Sequence, residues 1–124
     1  MPPSFISPAE AKRLGSFRNA LGPAIAEGLS IEILTALLTI ALEPGLSVNE
    51  LADRLRAPQQ TASRYAAVLL GRYQEPTATA GQPPKIPLVV QEIHADDPRK
   101  RAMFLTDRGK EFVEGLLSHL AHQK

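Results

Sequence analysis

The sequence predicts a mainly α-helical domain with a two-stranded β-wing, that is, a winged helix-turn-helix of the α+β class. The first observation is a Ser-x-x-Glu capping box at 47–50, followed after a short turn by a second helix that starts near Pro58. The second is a pair of β-prone segments, 88–95 and 101–105, on either side of a polar turn. The third is Thr106, which can cap a helix directly after the second strand. Each signal is weak alone, but their order is specific for this fold.

Length and composition limit the chain to one small domain, with or without a dimerisation arm. It has 124 residues, of which 44% are hydrophobic and only 5% aromatic, so the core must be aliphatic. The absence of cysteine excludes disulfides and thiolate metal sites. The longest apolar run, at 33–42, is far shorter than the roughly 20 residues of a membrane span, and no secretory signal is visible. We therefore expect a cytoplasmic protein without a membrane partner.

The net charge of +1 conceals an uneven distribution along the chain. Residues 1–53 carry 3 basic and 6 acidic side chains, whereas residues 54–110 carry 10 basic and 5 acidic ones. The positive charge therefore lies over the predicted helix-turn-helix and wing, where phosphate neutralisation would need it. Charge alone leaves open a solvated face with no partner.

Residues 1–29 are predicted to form an N-terminal arm for packing or dimerisation. A capping box at 7–10, with Pro8 in the first turn, starts its helix. Pro23 should kink or split this helix because proline removes a backbone donor. One apolar stripe follows helical spacing: Leu14, Phe17, Leu21 and Ile25. The stripe could pack on the chain's own core or on a second subunit.

Residues 30–106 are predicted to form the winged helix-turn-helix domain. Ser30 caps a helix with a wide apolar face, which should be central. A helix through about Leu55 and a turn at 56–58 lead into the recognition helix, 58–72. Its inner face should hold Ala62, Ala66 and Leu69.

The remaining segments are an inserted loop, the wing and a final helix. Residues 73–87, and 75–87 above all, are rich in Pro, Thr, Ala and Gly and predict a loop of unassigned role. The wing is predicted at 88–105. Residues 107–124 should form one C-terminal helix, with a dimerisation role and an apolar repeat at Phe112, Leu116 and Leu120.

In four stretches the chain resembles the MarR family of winged-helix transcription regulators. Residues 44–52 resemble the turn and first motif helix, and 61–64 the small and hydroxyl residues before an Arg in the recognition helix. Residues 97–99 resemble the Asp-x-Arg of the wing, and 105–109 the Leu-Thr-x-x-Gly that closes it. The inserted loop and the single C-terminal helix depart from the family pattern.

The resemblance implies a homodimer whose N- and C-terminal helices interlock. It also implies a recognition helix in the major groove of double-stranded DNA and a wing along the minor groove. A small aromatic or phenolic effector that releases DNA is a further implication, as it is for many such proteins.

Eight residues are candidates for DNA contact. Glutamine can pair bidentately with adenine and arginine with guanine, while hydroxyls and a helix N-terminus suit phosphate. The resemblance places Arg99 in the minor groove, oriented by Asp97, and Lys85 of the loop could reach phosphate. An exposed polar face without DNA is the alternative. The candidates are Gln59, Gln60, Thr61, Ser63, Arg64, Arg99, Lys100 and Arg101.

The predicted function is a sequence-specific regulator, a dimeric repressor that reads a pseudo-palindrome with half-sites about one helical turn apart. The alternative is a winged-helix protein–protein interaction module, an adaptor or antirepressor without DNA binding. An enzyme is not predicted, because no nucleophile turn, phosphate-cradling glycine loop or His-Glu-x-x-His sequence occurs. No cofactor or metal is expected, since His94, His119 and His122 do not make up a four-ligand zinc set.

Overall fold

The computed structural model describes residues 6–72, 86–93, 96 and 100–120. The predicted order of helices, two strands and a final helix is confirmed. The predictions at Lys85, His94, Asp97, Arg99 and His122 lie outside the described residues. The elements are α1 (Pro8–Ala20), α2 (Gly22–Ala26), α3 (Ile31–Leu42), α4 (Val48–Leu55), α5 (Gln59–Leu69), β1 (Val89–Ile93), β2 (Arg101–Leu105) and α6 (Asp107–Leu120).

Serine side chains start three of the helices, as predicted. The hydroxyls of Ser7, Ser30 and Ser47 each accept a hydrogen bond from the backbone N–H three residues on, at 3.1, 3.2 and 3.2 Å. In α1 and α4 the glutamate of the capping box returns the bond, accepting from the serine N–H. Such caps satisfy N–H groups that have no partner within the helix, and each is worth about 0.5–2 kcal/mol.

The predicted kink at Pro23 is a break between α1 and α2. Leu21 ends α1, and Pro23 lies in the first turn of α2, where its missing N–H costs no helical bond. Ala20 and Ala24 are buried in the core. In contrast, much of the predicted apolar stripe is exposed, with 58% exposure at Leu14, 53% at Phe17 and 74% at Ile25. Within the described part of the chain, the stripe therefore does not pack on the core, apart from Leu21, which is half-buried against it.

Helix α3 is the centre of the core, as its wide apolar face predicts. Leu37 and Ile40 are completely buried, and α3 packs against α4, α5 and β2. Each fully buried leucine or isoleucine stabilises the fold by about 1.5–3 kcal/mol relative to an exposed one. Among the described residues no single helix could cross a membrane. Pro8–Ala26 and Ile31–Leu42 together meet the length and composition required, but only around a 100° bend, and the second is this core helix.

The wing is an antiparallel pair with Val89 opposite Leu105 and Ile93 opposite Arg101. A third segment, which was not predicted, joins its other edge. Met103 donates its N–H to the carbonyl of Leu46 at 2.9 Å, and Gly45 donates to the carbonyl of Met103 at 2.8 Å. A single residue pair leaves no periodic signal in the sequence. This pairing attaches the wing to the turn before α4.

Two predicted elements are shorter in the structure. The recognition helix ends at Leu69 rather than near 72, since Gly71 adopts φ 77°, a left-handed conformation that stops a helix. Strand β1 begins at Val89 rather than Leu88. Leu88 instead donates its N–H to the carbonyl of Leu69 at 3.1 Å and so ties the end of α5 to the wing.

Candidate nucleic-acid interface

The polar candidates of the recognition helix lie on the outer side of α5. Gln59, Gln60, Ser63 and Arg64 are exposed, and Thr61 is half-buried. The opposite side is the predicted inner face, because Ala62, Ala66 and Leu69 are at most 2% exposed. Small alanines on this face let α5 approach α3 and α4 closely. The packing therefore turns the glutamines and the arginine towards solvent.

The N-terminus of α5 has no side-chain cap. It begins after Pro58, whose side chain offers no acceptor atom, whereas α4 begins with the Ser47 hydroxyl. The first N–H groups of a helix lack partners within it and carry its positive dipole end. The exposed start of α5 is thus electrostatically suited to an anion.

A tight turn fixes the angle between α4 and α5. Arg56 ends α4 in the left-handed region with φ 55°. The N–H of Ala57 donates to the carbonyl of Ala52 at 3.1 Å, which closes the turn. Next to it, the Nε of Arg54 contacts both carboxylate oxygens of Glu43 at 3.0 Å. Because Glu43 neutralises it, Arg54 adds little to the positive charge that the sequence places here.

The described part of the wing carries two of the predicted basic residues, while Arg99 and Asp97 lie outside the described residues. Lys100 and Arg101 are exposed at the start of β2. Hydrogen bonds from Ser47 lower the pKa of Glu50, and the positive charges of Lys100 and Arg54 lower it further. The charge of Lys100 thus contributes to the electrostatic environment of Glu50 at the start of α4.

The Leu-Thr-x-x-Gly sequence is the joint between wing and α6. The Thr106 hydroxyl donates to the carbonyl of Pro87 at 2.7 Å and accepts from the N–H of Gly109 at 3.0 Å. The Thr106 N–H donates to the carbonyl of Leu88 at 3.0 Å. One threonine thus caps α6 and holds the base of both strands, which explains why this residue type stands at this position.

An ion pair between Arg108 and Glu27 was not predicted. The Nη2 of Arg108, in the first turn of α6, contacts the Oε1 of Glu27 at the end of α2. The two residues are 81 positions apart, so no spacing rule could have found the pair. It joins the N-terminal arm to the base of the wing.

Among the described residues we assign no binding site for an effector or a metal ion. A shallow groove of about 510 Å³ lies between the end of α5, β1 and the start of α6, and Leu70, Arg72, Val90 and Thr106 contribute to its lining. Arg72 and Ile86 both line it, and segment 73–85, which joins them in sequence, lies outside the described residues. His119 is half-buried near the end of α6. No group of three or more histidine or acidic side chains within the described ranges could hold a metal ion.

No protein-family model and no curated protein matches the chain, but several solved structures do. The S. aureus MepR–DNA complex matches with a TM-score of 0.64 and 18% identity, over 90% of this chain and 78% of that one. A MarR structure matches with 0.59 and 22% identity, over 92% and 74%. The transcriptional regulator Tm0710 from Thermotoga maritima matches with 0.67 and 14% identity, over 90% and 69%.

The chain has the MarR winged-helix fold. At these identities the likeness is one of fold, and it covers about 90% of the chain. The MarR fold thereby confirms the resemblance stated from four short stretches of sequence. The MepR structure is a complex with DNA.

Proposed function

We propose that this protein is a sequence-specific DNA-binding transcription regulator, a dimeric repressor that reads a pseudo-palindrome. The observation that carries the proposal is the outward polar face of α5, on a fold that MepR uses in a DNA complex. This function requires no catalytic group and no cofactor. The proposed DNA-binding domain comprises residues 30–106, and the recognition helix and wing are its reading elements.

On α5 we assign base reading and phosphate contact to different residue types. Gln59, Gln60 and Arg64 are exposed and can offer bidentate hydrogen bonds to adenine or guanine edges in the major groove. Ser63 and the half-buried Thr61 have short side chains, suited to phosphate beside the uncapped N-terminus of α5. Contacts to phosphate fix the register, and contacts to bases select the sequence.

In the wing we propose that Arg99 enters the minor groove, that Asp97 orients it, and that Lys100 and Arg101 contact phosphate. The support is the exposure of Lys100 and Arg101 at the start of β2, together with the family resemblance at 97–99. A narrow minor groove concentrates negative potential and favours arginine there. The two parts would then hold the duplex from adjacent grooves.

We further propose a homodimer formed by the arm, 1–29, and the C-terminal helix, 107–124. Helices α1 and α6 pack against each other, and both carry exposed apolar side chains. Leu14, Phe17 and Ile25 on the arm and Leu117 on α6 are each more than half exposed. A second subunit would remove this surface from water. A small-molecule effector remains a prediction from the resemblance.

The test is a fluorescence-anisotropy titration of the protein on duplex DNA at two salt concentrations, first with random and then with selected sequences. We expect the affinity to fall steeply as the salt concentration rises, because the protein's basic side chains release condensed counterions from the DNA when they bind its phosphates. Arg64→Ala should weaken binding to the selected operator by about 1–3 kcal/mol and relax preference at one base pair. Lys12→Ala removes one exposed charge from α1 and is the matched control, with near-normal affinity expected.

A folded protein with no affinity at low salt would contradict the proposal. It would favour the protein–protein interaction module instead. Equal losses for Arg64→Ala and Lys12→Ala would contradict the assignment of the reading face while leaving non-specific DNA binding intact.

A further inference from the structure

Among the described residues, an ion pair joins the arm to the first turn of α6, at the base of the wing. It joins Nη2 of Arg108 to Oε1 of Glu27, with side-chain exposures of 41% and 16%. The glutamate is thus largely withdrawn from water, which strengthens its attraction to the guanidinium. Arg108 occupies the fourth position of Leu-Thr-Asp-Arg-Gly, and the proposed DNA contacts do not use it.

Arg108 lies in a helical turn that is hydrogen-bonded to the base of the wing. It lies between Thr106, which caps α6 and bonds to Pro87 and Leu88, and Gly109, which packs against the carbonyl of Leu88. Leu88 in turn bonds to Leu69 at the end of the recognition helix. These bonds connect the first turn of α6, which carries Arg108, to the base of the wing and to the end of α5.

Glu27 lies at the end of α2, in the arm. Its N–H donates to the carbonyl of Pro23 at 3.0 Å and closes α2. Ala24, in that helix, is buried in the core, while Ile25 beside it is 74% exposed on the proposed dimer side. Glu27 therefore lies between the proposed dimer surface of the arm and the base of the wing.

We propose that Arg108 is a positioning residue that, through Glu27, holds the wing and recognition helix at a fixed orientation to the arm. In a dimer this orientation sets the distance between the two recognition helices, and hence the half-site spacing that the protein accepts. The effect on half-site spacing rests on the proposed dimeric DNA-binding function, whereas the coupling of the arm to the wing does not depend on that function.

The first experiment is amide hydrogen exchange on the full chain without DNA. Glu27→Gln and Arg108→Gln should each speed exchange in α1 and α2 about two- to fivefold, the range expected for a partly exposed ion pair. The charge-swapped double variant, Glu27→Arg with Arg108→Glu, should return towards the wild-type rate. Unchanged exchange in the arm for both single variants would overturn the proposal.

The chain supplies a matched control pair. Arg54 is about as exposed as Arg108, at 46% against 41%, and Glu43 is more exposed than Glu27, at 43% against 16%; both Glu43 and Arg54 lie within residues 30–106 and do not involve the arm. Glu43→Gln should leave arm exchange unchanged. If it speeds the arm as much as Glu27→Gln does, general destabilisation explains the result, and the proposal fails.

The second experiment measures affinity for a series of operators whose half-site spacing changes by one base pair at a time. Wild type should prefer one spacing, and both Glu27→Gln and Arg108→Gln should flatten that preference. If Arg108 were only a phosphate contact, the two variants would shift affinity in opposite directions at every spacing, which would overturn the proposal. Wild type that binds no DNA would refute the proposed function, while the exchange experiment would still decide the coupling.

Discussion

At the scale of single residues, Gly109 shows most clearly why this sequence closes the wing as it does. A Cβ at this position would lie 2.1 Å from the carbonyl oxygen of Leu88 and 3.3 Å from the Cβ of Leu105. The obstacle is backbone, and it is held in place because the same Leu88 oxygen accepts the Thr106 N–H. Only glycine lets the first turn of α6 rest directly on the strand.

Gly109→Ala should therefore destabilise the protein by about 1–3 kcal/mol, the usual cost of forcing extra volume into a packed site. Gly115→Ala is the control in the same helix, because nothing lies within 4 Å of its added Cβ. It should stabilise the fold by about 0.5–1 kcal/mol, since alanine loses less backbone entropy than glycine. Urea unfolding measures both, and equal effects would contradict the close approach at Gly109.

At the scale of elements, the capping box of α4 couples helix formation to pH. Glu50 accepts a hydrogen bond from the N–H of Ser47 at 3.1 Å, and this bond is the main cause of its lowered pKa. A carboxyl whose pKa is lower in the folded state than in the unfolded one stabilises the fold above its unfolded pKa. That stabilisation is lost as the pH falls through the folded pKa.

Glu50→Gln should thus lower the melting temperature most at neutral pH and progressively less in acid below about pH 4, near the ordinary pKa of glutamate. Glutamine keeps an acceptor for Ser47 but cannot titrate, so the wild type loses its advantage on protonation. Asp53→Asn removes another carboxylate of α4 outside the capping box and serves as the control. Thermal unfolding across pH 3–7 tests this, and a gap between wild type and Glu50→Gln that widens in acid would refute it.

At the scale of the whole molecule, the exposed apolar stripe on the arm requires a partner in the proposed dimer. Phe17 is 53% exposed in the single chain and is not among its core residues. Its removal should therefore leave the fold of each subunit intact. In a dimer it would lie at the proposed interface, where truncating a large apolar anchor commonly costs 1 to about 2 kcal/mol or more.

Phe17→Gln should weaken dimerisation about tenfold or more without changing the circular-dichroism spectrum, since 1.4 kcal/mol corresponds to a factor of ten. Lys12→Gln, an exposed polar position of α1, should have no effect on the association constant. Sedimentation equilibrium over a range of concentrations measures both. A wild-type chain that stays monomeric throughout, or a variant that dimerises as well as wild type, would contradict the proposed interface.

Local signals in the sequence determined the elements and their order. The three serine caps, the break at Pro23, the wing strands and the Thr106 cap depend on neighbours within about four residues, so they can be read directly from the chain. The polar outer face of α5 was predictable for the same reason, since alanine and leucine at helical spacing identify the buried side. The DNA contacts assigned to that face remain a prediction.

Only the tertiary structure decided the contacts between residues far apart in the chain. Three such contacts each involve only one pair of residues and so leave no periodic signal in the sequence. They are the pairing of Leu46 with Met103, the close approach of Gly109 to Leu88 and the ion pair of Glu27 with Arg108. The exposure of Phe17 was likewise undecided, because an apolar stripe has the same spacing whether it faces a core or a second subunit. Spacing specifies which side of a helix is apolar, whereas the packing of the whole chain determines what that side meets.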